Sequence, residues 1–225
     1  MSSKKEMCRV RIRNGLEQLL AIKRAYAKQR DNHGKVLLHF IERGEEIVKA
    51  CLLVEALPTP LHILCRVLCE DFFLVCWISQ SSEAAKEYED GVAAELAKML
   101  GLSLSRGWGA IRKRHSGEAV TQEFMETEFF PKLKALKTPR TKIEKIAQGL
   151  GLQKLYDVLY RASSLDVHGN TFGLPVPPEE PGYIALSSID GILACMVDVL
   201  ALPRKPYDAK AILTRMRVER SETVN

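Results

Sequence analysis

The stretch from Leu61 to Ile78 constrains the fold more than any other part of the chain. It is the longest apolar run and is nearly long enough to cross a membrane. It also carries His62, Arg66, Glu70 and Asp71. Formal charges near the middle of such a run are expensive in lipid. The run therefore reads as a helix buried in protein. Its charges should be paired there, because an unpaired buried charge costs of order 3–5 kcal/mol. Composition agrees with helix. Aromatic residues make up only 7% of the chain, and Leu and Ala are plentiful, which disfavours a β-sandwich. With 225 residues, 46% apolar and 27% charged, the chain has enough material for one large core or two small ones. A disordered chain, a collagen-like fibre and a small disulfide scaffold are excluded.

The remaining sequence reads as helices separated by Gly and Pro. The expected segments are 6–30, then 35–56 after a break at Asp31–Gly34, with Pro58 and Pro60 ending the second. Residues 60–79 follow. A helix N-capped at Ser81 or Ser82 then runs to Leu100, closed by Gly101. Residues 101–117 read as a basic loop. Helices are expected at 118–137, at 138–148 with Thr138 as cap and Pro139 in the first turn, and at Leu152–His168. A proline-rich loop over 169–182 leads to helices at 184–202 and 207–219. No strand alternation or internal repeat competes with this pattern. Short connections imply antiparallel neighbours in an all-α bundle. The expected divisions are a basic N-terminal helix over 1–34, a bundle over 35–202, and a basic C-terminal helix and tail over 203–225.

The net charge of +5 permits a nucleic-acid partner without requiring one. Cysteines stand at 8, 51, 65, 69, 76 and 195, with no CxxC pair. They read as small buried hydrophobes in a reducing cytoplasm rather than as zinc ligands. The N-terminus lacks an apolar signal core. The expectation is a cytoplasmic protein without a membrane span.

The segment Leu155–Asn170 carries the most chemistry. On an α-helix Asp157, Arg161, Ser164 and His168 recur at steps of four, three and four, forming one polar stripe. His168 would sit in the last turn, where the helix C-terminus favours its protonated form. In the buried run, Arg66 and Glu70 are four apart and share a face. Glu70 could pair with Arg66, or with Arg161 across the bundle. Trp108 beside Arg112, Lys113 and Arg114 reads either as a phosphate-backbone contact or as a solvated charge run.

An Arg-x-x-x-Glu helix (Arg66, Glu70), followed by Tyr-Arg-x-x-Ser-x-x-x-His-Gly (Tyr160, Arg161, Ser164, His168, Gly169), resembles a bacterial domain-of-unknown-function family placed near the HEPN superfamily of helical proteins. The resemblance covers about residues 35–202. It implies a HEPN-like four- or five-helix bundle, commonly a homodimer that brings two such helices into one composite site. It also implies RNA as substrate and a place in a bacterial defence or stress system. Many members are metal-independent ribonucleases with an Arg and a His separated by four to six residues, and Arg161 and His168 fit that spacing. Ala162 stands where active members usually carry a polar residue.

The implied chemistry is sound. RNA cleaved through its own 2′-hydroxyl needs a proton acceptor near neutral pH, which His168 supplies. It also needs a cation at the scissile phosphate, which Arg161 supplies in a fork. Ser164 would donate a hydrogen bond to phosphate. Asp157 would orient Arg161, and Glu70, Arg66, Tyr160 and Asn170 would support the site. No metal or other cofactor is called for. The alternative is a non-catalytic helical module that binds a protein or a nucleic acid, with the Arg/His stripe fixing helix packing.

Overall fold

The computed structural model describes residues 4–107, 112, 116–129, 131, 141–161, 182–202 and 208–221. The side chains of 104, 122, 161 and 217–221 are outside this description. Helices α1 (Lys4–Tyr26), α2 (Asn32–Leu53), α3 (Pro58–Ile78) and α4 (Ser82–Ser105) come first. Helix α5 (Gln122–Phe124) continues into a π-helical turn, Met125–Phe129. Next are α6 (Ile143–Gly149) and α7 (Gln153–Leu155), the latter continuing as a π-helical turn over Tyr156–Arg161. Helices α8 (Tyr183–Ala201) and α9 (Ala209–Ser221) complete the order. Among the described residues there is no strand, only an isolated bridge between Arg112 and Ala119. The all-α architecture is the one the sequence implies.

Several boundaries differ from the sequence expectation, each for a local reason. Helix α2 starts earlier because the Asp31 carboxylate caps it, accepting from the Gly34 amide at 2.6 Å. Pro58 and Pro60 open α3 rather than only ending α2, since proline in a first turn gives up no helical hydrogen bond. Gly101 lies inside α4, which continues to Ser105. Residues 116–121 are not helical, and regular winding starts only at Gln122. Helix α6 ends in a turn at Gly151, whose φ is +70°. There the Leu152 amide bonds to the Ala147 carbonyl at 2.8 Å and the Gly151 amide to Gln148 at 3.0 Å, a Schellman arrangement.

The chain folds as two compact units, residues 1–82 with 143–225, and residues 83–142. The first unit is built on four helices. Helix α1 packs against α2 and α8, and α3 packs against the same two. The basic N-terminal helix is thus a wall of the core, contributing Cys8, Ile12, Leu19 and Tyr26. Phe40 and Ile41 of α2, Leu68 and Phe72 of α3, and Ile189, Leu193 and Met196 of α8 meet them in the interior. Gly15 lets α1 approach α8 closely, since a Cβ there would lie 2.9 Å from Leu193 Cδ2. Helix α6 and the π-helical turn over Tyr156–Arg161 cover α3, and α9 rests on α8 through an Arg215–Asp198 ion pair. Among the described helices, α8 is the one long and apolar enough to span a bilayer, and 67% of its apolar window is buried inside the fold.

The second unit holds α4, α5 and the turn around Arg112 and Ala119.

Candidate functional site

Two of the singled-out segments meet on the outer side of α3. Arg66 Nη2 donates to the Tyr160 hydroxyl at 3.2 Å. Its guanidinium carbon lies 5.1 Å from the Tyr160 ring centroid, a cation–π distance. Tyr160 stacks on Tyr156 with centroids 4.9 Å apart and planes 18° from parallel. Tyr156 in turn meets Phe73 at 6.1 Å, and Phe73 meets Phe72 at 5.8 Å. The ladder runs from the half-buried Arg66 into the core, where Phe72 and Phe73 are fully buried. Such aromatic contacts each add roughly 0.5–1.5 kcal/mol beyond burial.

The backbone under this ladder is π-helical from Tyr156 to Arg161. A π-turn bonds i to i+5 and is wider than an α-turn. It displaces Arg161 sideways from the line through Asp157 that an α-helix would give, so the first step of the expected stripe loses its α-helical registry. Asp157 is exposed, and its Oδ1 accepts from Gln153 Nε2 at 3.1 Å. The described contacts of Arg66 are with Tyr160 of the later segment. Glu70 is half-buried beside Cys69, whose thiol its charge helps to raise. The Arg161 side chain, Ser164, His168 and Asn170 lie outside the described residues. So do Trp108, Lys113 and Arg114. Arg112 is exposed, and its Nη1 donates to the Gly117 carbonyl at 2.9 Å.

Several ionic and polar contacts have no counterpart in the sequence reading. Asp71, buried in α3, is ion-paired with Arg43 of α2 at 2.9 Å. Asp190, buried in α8, accepts from Arg11 Nε of α1 at 2.6 Å. Burial pushes the Asp190 carboxyl up, and the Arg11 guanidinium opposes that rise. The two pairs pin opposite seams of the four-helix core, α2–α3 and α1–α8. The position of Asp71, three after Leu68 and four before Val75, was a signal of burial. Its partner on another helix gave none. His33 is also buried, with Nε2 2.8 Å from the Ile78 carbonyl, so it ties the start of α2 to the end of α3.

All six cysteines are buried with free thiols. Burial pushes the Cys51 thiol up to about 12, and those of Cys69 and Cys76 well above the ordinary range. Thiols held protonated in this way are poor nucleophiles and poor metal ligands. Among the described residues no three His, Cys, Asp or Glu side chains gather to hold a metal ion.

These features define an all-helical protein in which an arginine of a core helix anchors a π-helical turn from a later segment. The sequence profile of the family of unknown function DUF5677 matches residues 36–175, more than half of the chain, and the chain belongs to that family. No curated protein and no solved structure matches it.

Proposed function

We propose that this chain is a HEPN-like protein that acts on RNA, as a metal-independent ribonuclease of a bacterial defence or stress system. The observation that carries the reading is the 3.2 Å bond from Arg66 to Tyr160. It joins, across 94 positions, the two motif-bearing segments on which the HEPN resemblance rests. Residues 36–175 of the family match include both segments. The π-helical turn that ends at Arg161 is a second support, because such turns are frequent at functional sites.

In this reading His168 takes the proton from the RNA 2′-hydroxyl. The freed oxygen attacks the adjacent phosphorus, forming the cyclic phosphate, and the 5′-oxygen leaves, taking a proton from water. Arg161 holds the phosphate oxygens and stabilises the charge that develops on them. Ser164 donates one further hydrogen bond. Tyr160 and Arg66 act as positioning residues.

A second reading is a non-catalytic binding module. The aromatic ladder from Phe72 to Tyr160 favours it, because such a ladder suffices to fix helix packing. Metal-free cleavage assays separate the two. Wild-type protein in EDTA should cleave single-stranded RNA to products ending in a cyclic phosphate, and a folded His168→Ala variant should not. An inactive wild-type protein across several RNAs would refute the nuclease reading in favour of the binding module.

A further inference from the structure

Arg9, Arg11, Lys23, Arg43 and Lys49 of α1 and α2 each meet a carboxylate. The corner that joins the two helices is different. Arg24, Lys28, Arg30 and Lys35 are exposed there, and among the described residues none of the four meets a carboxylate. Asp31 is the one acidic residue between positions 24 and 35, and its Oδ1 accepts from the Gly34 amide at 2.6 Å. The next acidic residues along the chain, Glu17 and Glu42, lie about 10 Å further along their helices. Helix α3 ends at the same corner, because His33 Nε2 is 2.8 Å from the Ile78 carbonyl, and it is followed by the uncharged run Ser79–Ser82. Helix α8 ends there too, its Leu200 carbonyl accepting from the Tyr26 hydroxyl at 3.2 Å. Asp198 of that helix is paired with Arg215.

The turn draws these cations together. Gln29 packs on Gly34, where an added Cβ would lie 2.7 Å from Gln29 Cβ. That contact sets Lys28 and Arg30, which flank Gln29, beside Lys35, which follows Gly34. Arg24 stands four positions before Lys28, about one helical turn away. A row of exposed cations on long stems suits a chain of phosphates, because it reads charge and not sequence. The corner is also remote from the motif-bearing turn. Arg66, which meets Tyr160, precedes Ile78 by about 18 Å along α3. A ligand that touches both places must be an extended polyanion. Positions 24–35 precede residue 36, where the family match begins.

We infer that the α1–α2 corner is a second RNA contact, at which Arg24, Lys28, Arg30 and Lys35 hold the phosphate backbone of a single strand away from the bond that is cleaved. The inference rests on the RNA reading for its ligand, and it adds a binding site outside the Arg161/His168 motif. Such a contact holds substrate and transition state equally, so its loss raises KM and leaves kcat unchanged.

Fluorescence anisotropy of the full chain with a single-stranded 2′-O-methyl oligonucleotide, which lacks the attacking hydroxyl, tests binding apart from cleavage. Arg24→Ala, Lys28→Ala, Arg30→Ala and Lys35→Ala combined should weaken binding about tenfold near 0.1 M salt. The slope of log affinity against log salt should flatten by about 3, from four contacts worth about 0.7 each. A control with Lys86→Ala, Lys98→Ala, Lys142→Ala and Lys145→Ala removes the same charge elsewhere and should bind within about twofold of wild type. With cleavable RNA, the corner variant should show KM raised about tenfold at unchanged kcat. A dinucleotide, too short to span about 18 Å, should be cleaved equally by both proteins. Equal weakening in the control would overturn the inference. So would wild-type protein that binds phosphatidylserine vesicles but no oligonucleotide. Cleavage and binding that ignore the corner variant would overturn it and leave the nuclease reading standing. Corner-dependent binding by a protein that cleaves no RNA would uphold it and remove the nuclease reading.

Discussion

Arg11→Ala measures what holds α1 against α8. Asp190 is 4% exposed, and its carboxylate meets Arg11 Nε at 2.6 Å. Removing one partner of a buried pair costs about 3–5 kcal/mol, because the remaining charge is stranded away from water. The Arg11 side chain is 45% exposed, so solvent already screens the pair and the expected loss is smaller, about 2–3 kcal/mol. In a chain of this size each kcal/mol moves Tm by about 2–4 °C. The variant should therefore melt about 4–12 °C lower near neutral pH.

The penalty also has a definite pH dependence. Burial raises the folded-state pKa of Asp190 above its unfolded value. The folded state then holds that proton more tightly than the unfolded state does. Stability falls as pH rises above the unfolded value of about 3.9 and levels off beyond the folded pKa. Loss of Arg11 raises the folded pKa further, so the Arg11→Ala penalty should be small below about pH 4 and full at about pH 8. Asp190→Asn placed in the Arg11→Ala background should recover most of the loss, because it removes the buried charge. Urea unfolding followed by far-UV circular dichroism at both pH values provides the measurement. A penalty under about 1 kcal/mol at the higher pH would refute the argument, as would an equal penalty at both pH values.

Three further perturbations test other parts of the core. His33→Ala removes the 2.8 Å contact with the Ile78 carbonyl and should cost about 0.5–1.5 kcal/mol in urea unfolding, the net worth of one hydrogen bond, because the Ser81 amide at 3.4 Å still serves that carbonyl. Gly15→Ala puts a methyl group 2.9 Å from Leu193 Cδ2 and should cost about 1–3 kcal/mol by forcing α1 and α8 apart; a neutral thermal melt would mean that Leu193 simply turns aside. Glu45 bonds Lys49 and Lys23, which hold its carboxyl below the usual range. Its contribution is present above the unfolded value of about 4.3 and is lost as pH falls through the folded pKa. Glu45→Gln should therefore be destabilised by about 0.5–1 kcal/mol at neutral pH and match wild type near pH 2 in pH-resolved melts.

The all-helical class was legible in the sequence because helix periodicity is a local property. Each of α1, α2, α3, α4 and α8 carries its own repeating apolar positions, although Gly101, read as the end of α4, lies inside it. Pro58, Pro60 and Gly151 mark boundaries by their backbone chemistry alone. The burial of the Leu61–Ile78 run followed from its composition. The need for paired charges within it followed from the cost of stranding them.

The partners were decided only by tertiary structure. Asp71 found Arg43 on α2, and Asp190 found Arg11 from 179 positions away, because those helices come to lie side by side. The Arg66 guanidinium settled over Tyr160, 94 positions away. The π-helical winding of Tyr156–Arg161 has the same origin. Helix propensities differ by less than about 1 kcal/mol per residue. The contacts of Tyr156 on Phe73 and of Tyr160 under Arg66 are each comparable to that, and together they outweigh it. Sequence by itself therefore determined that this protein is built from helices and which faces they bury. Which helix lies against which, and hence which charge meets which, was set by packing that no local window contains.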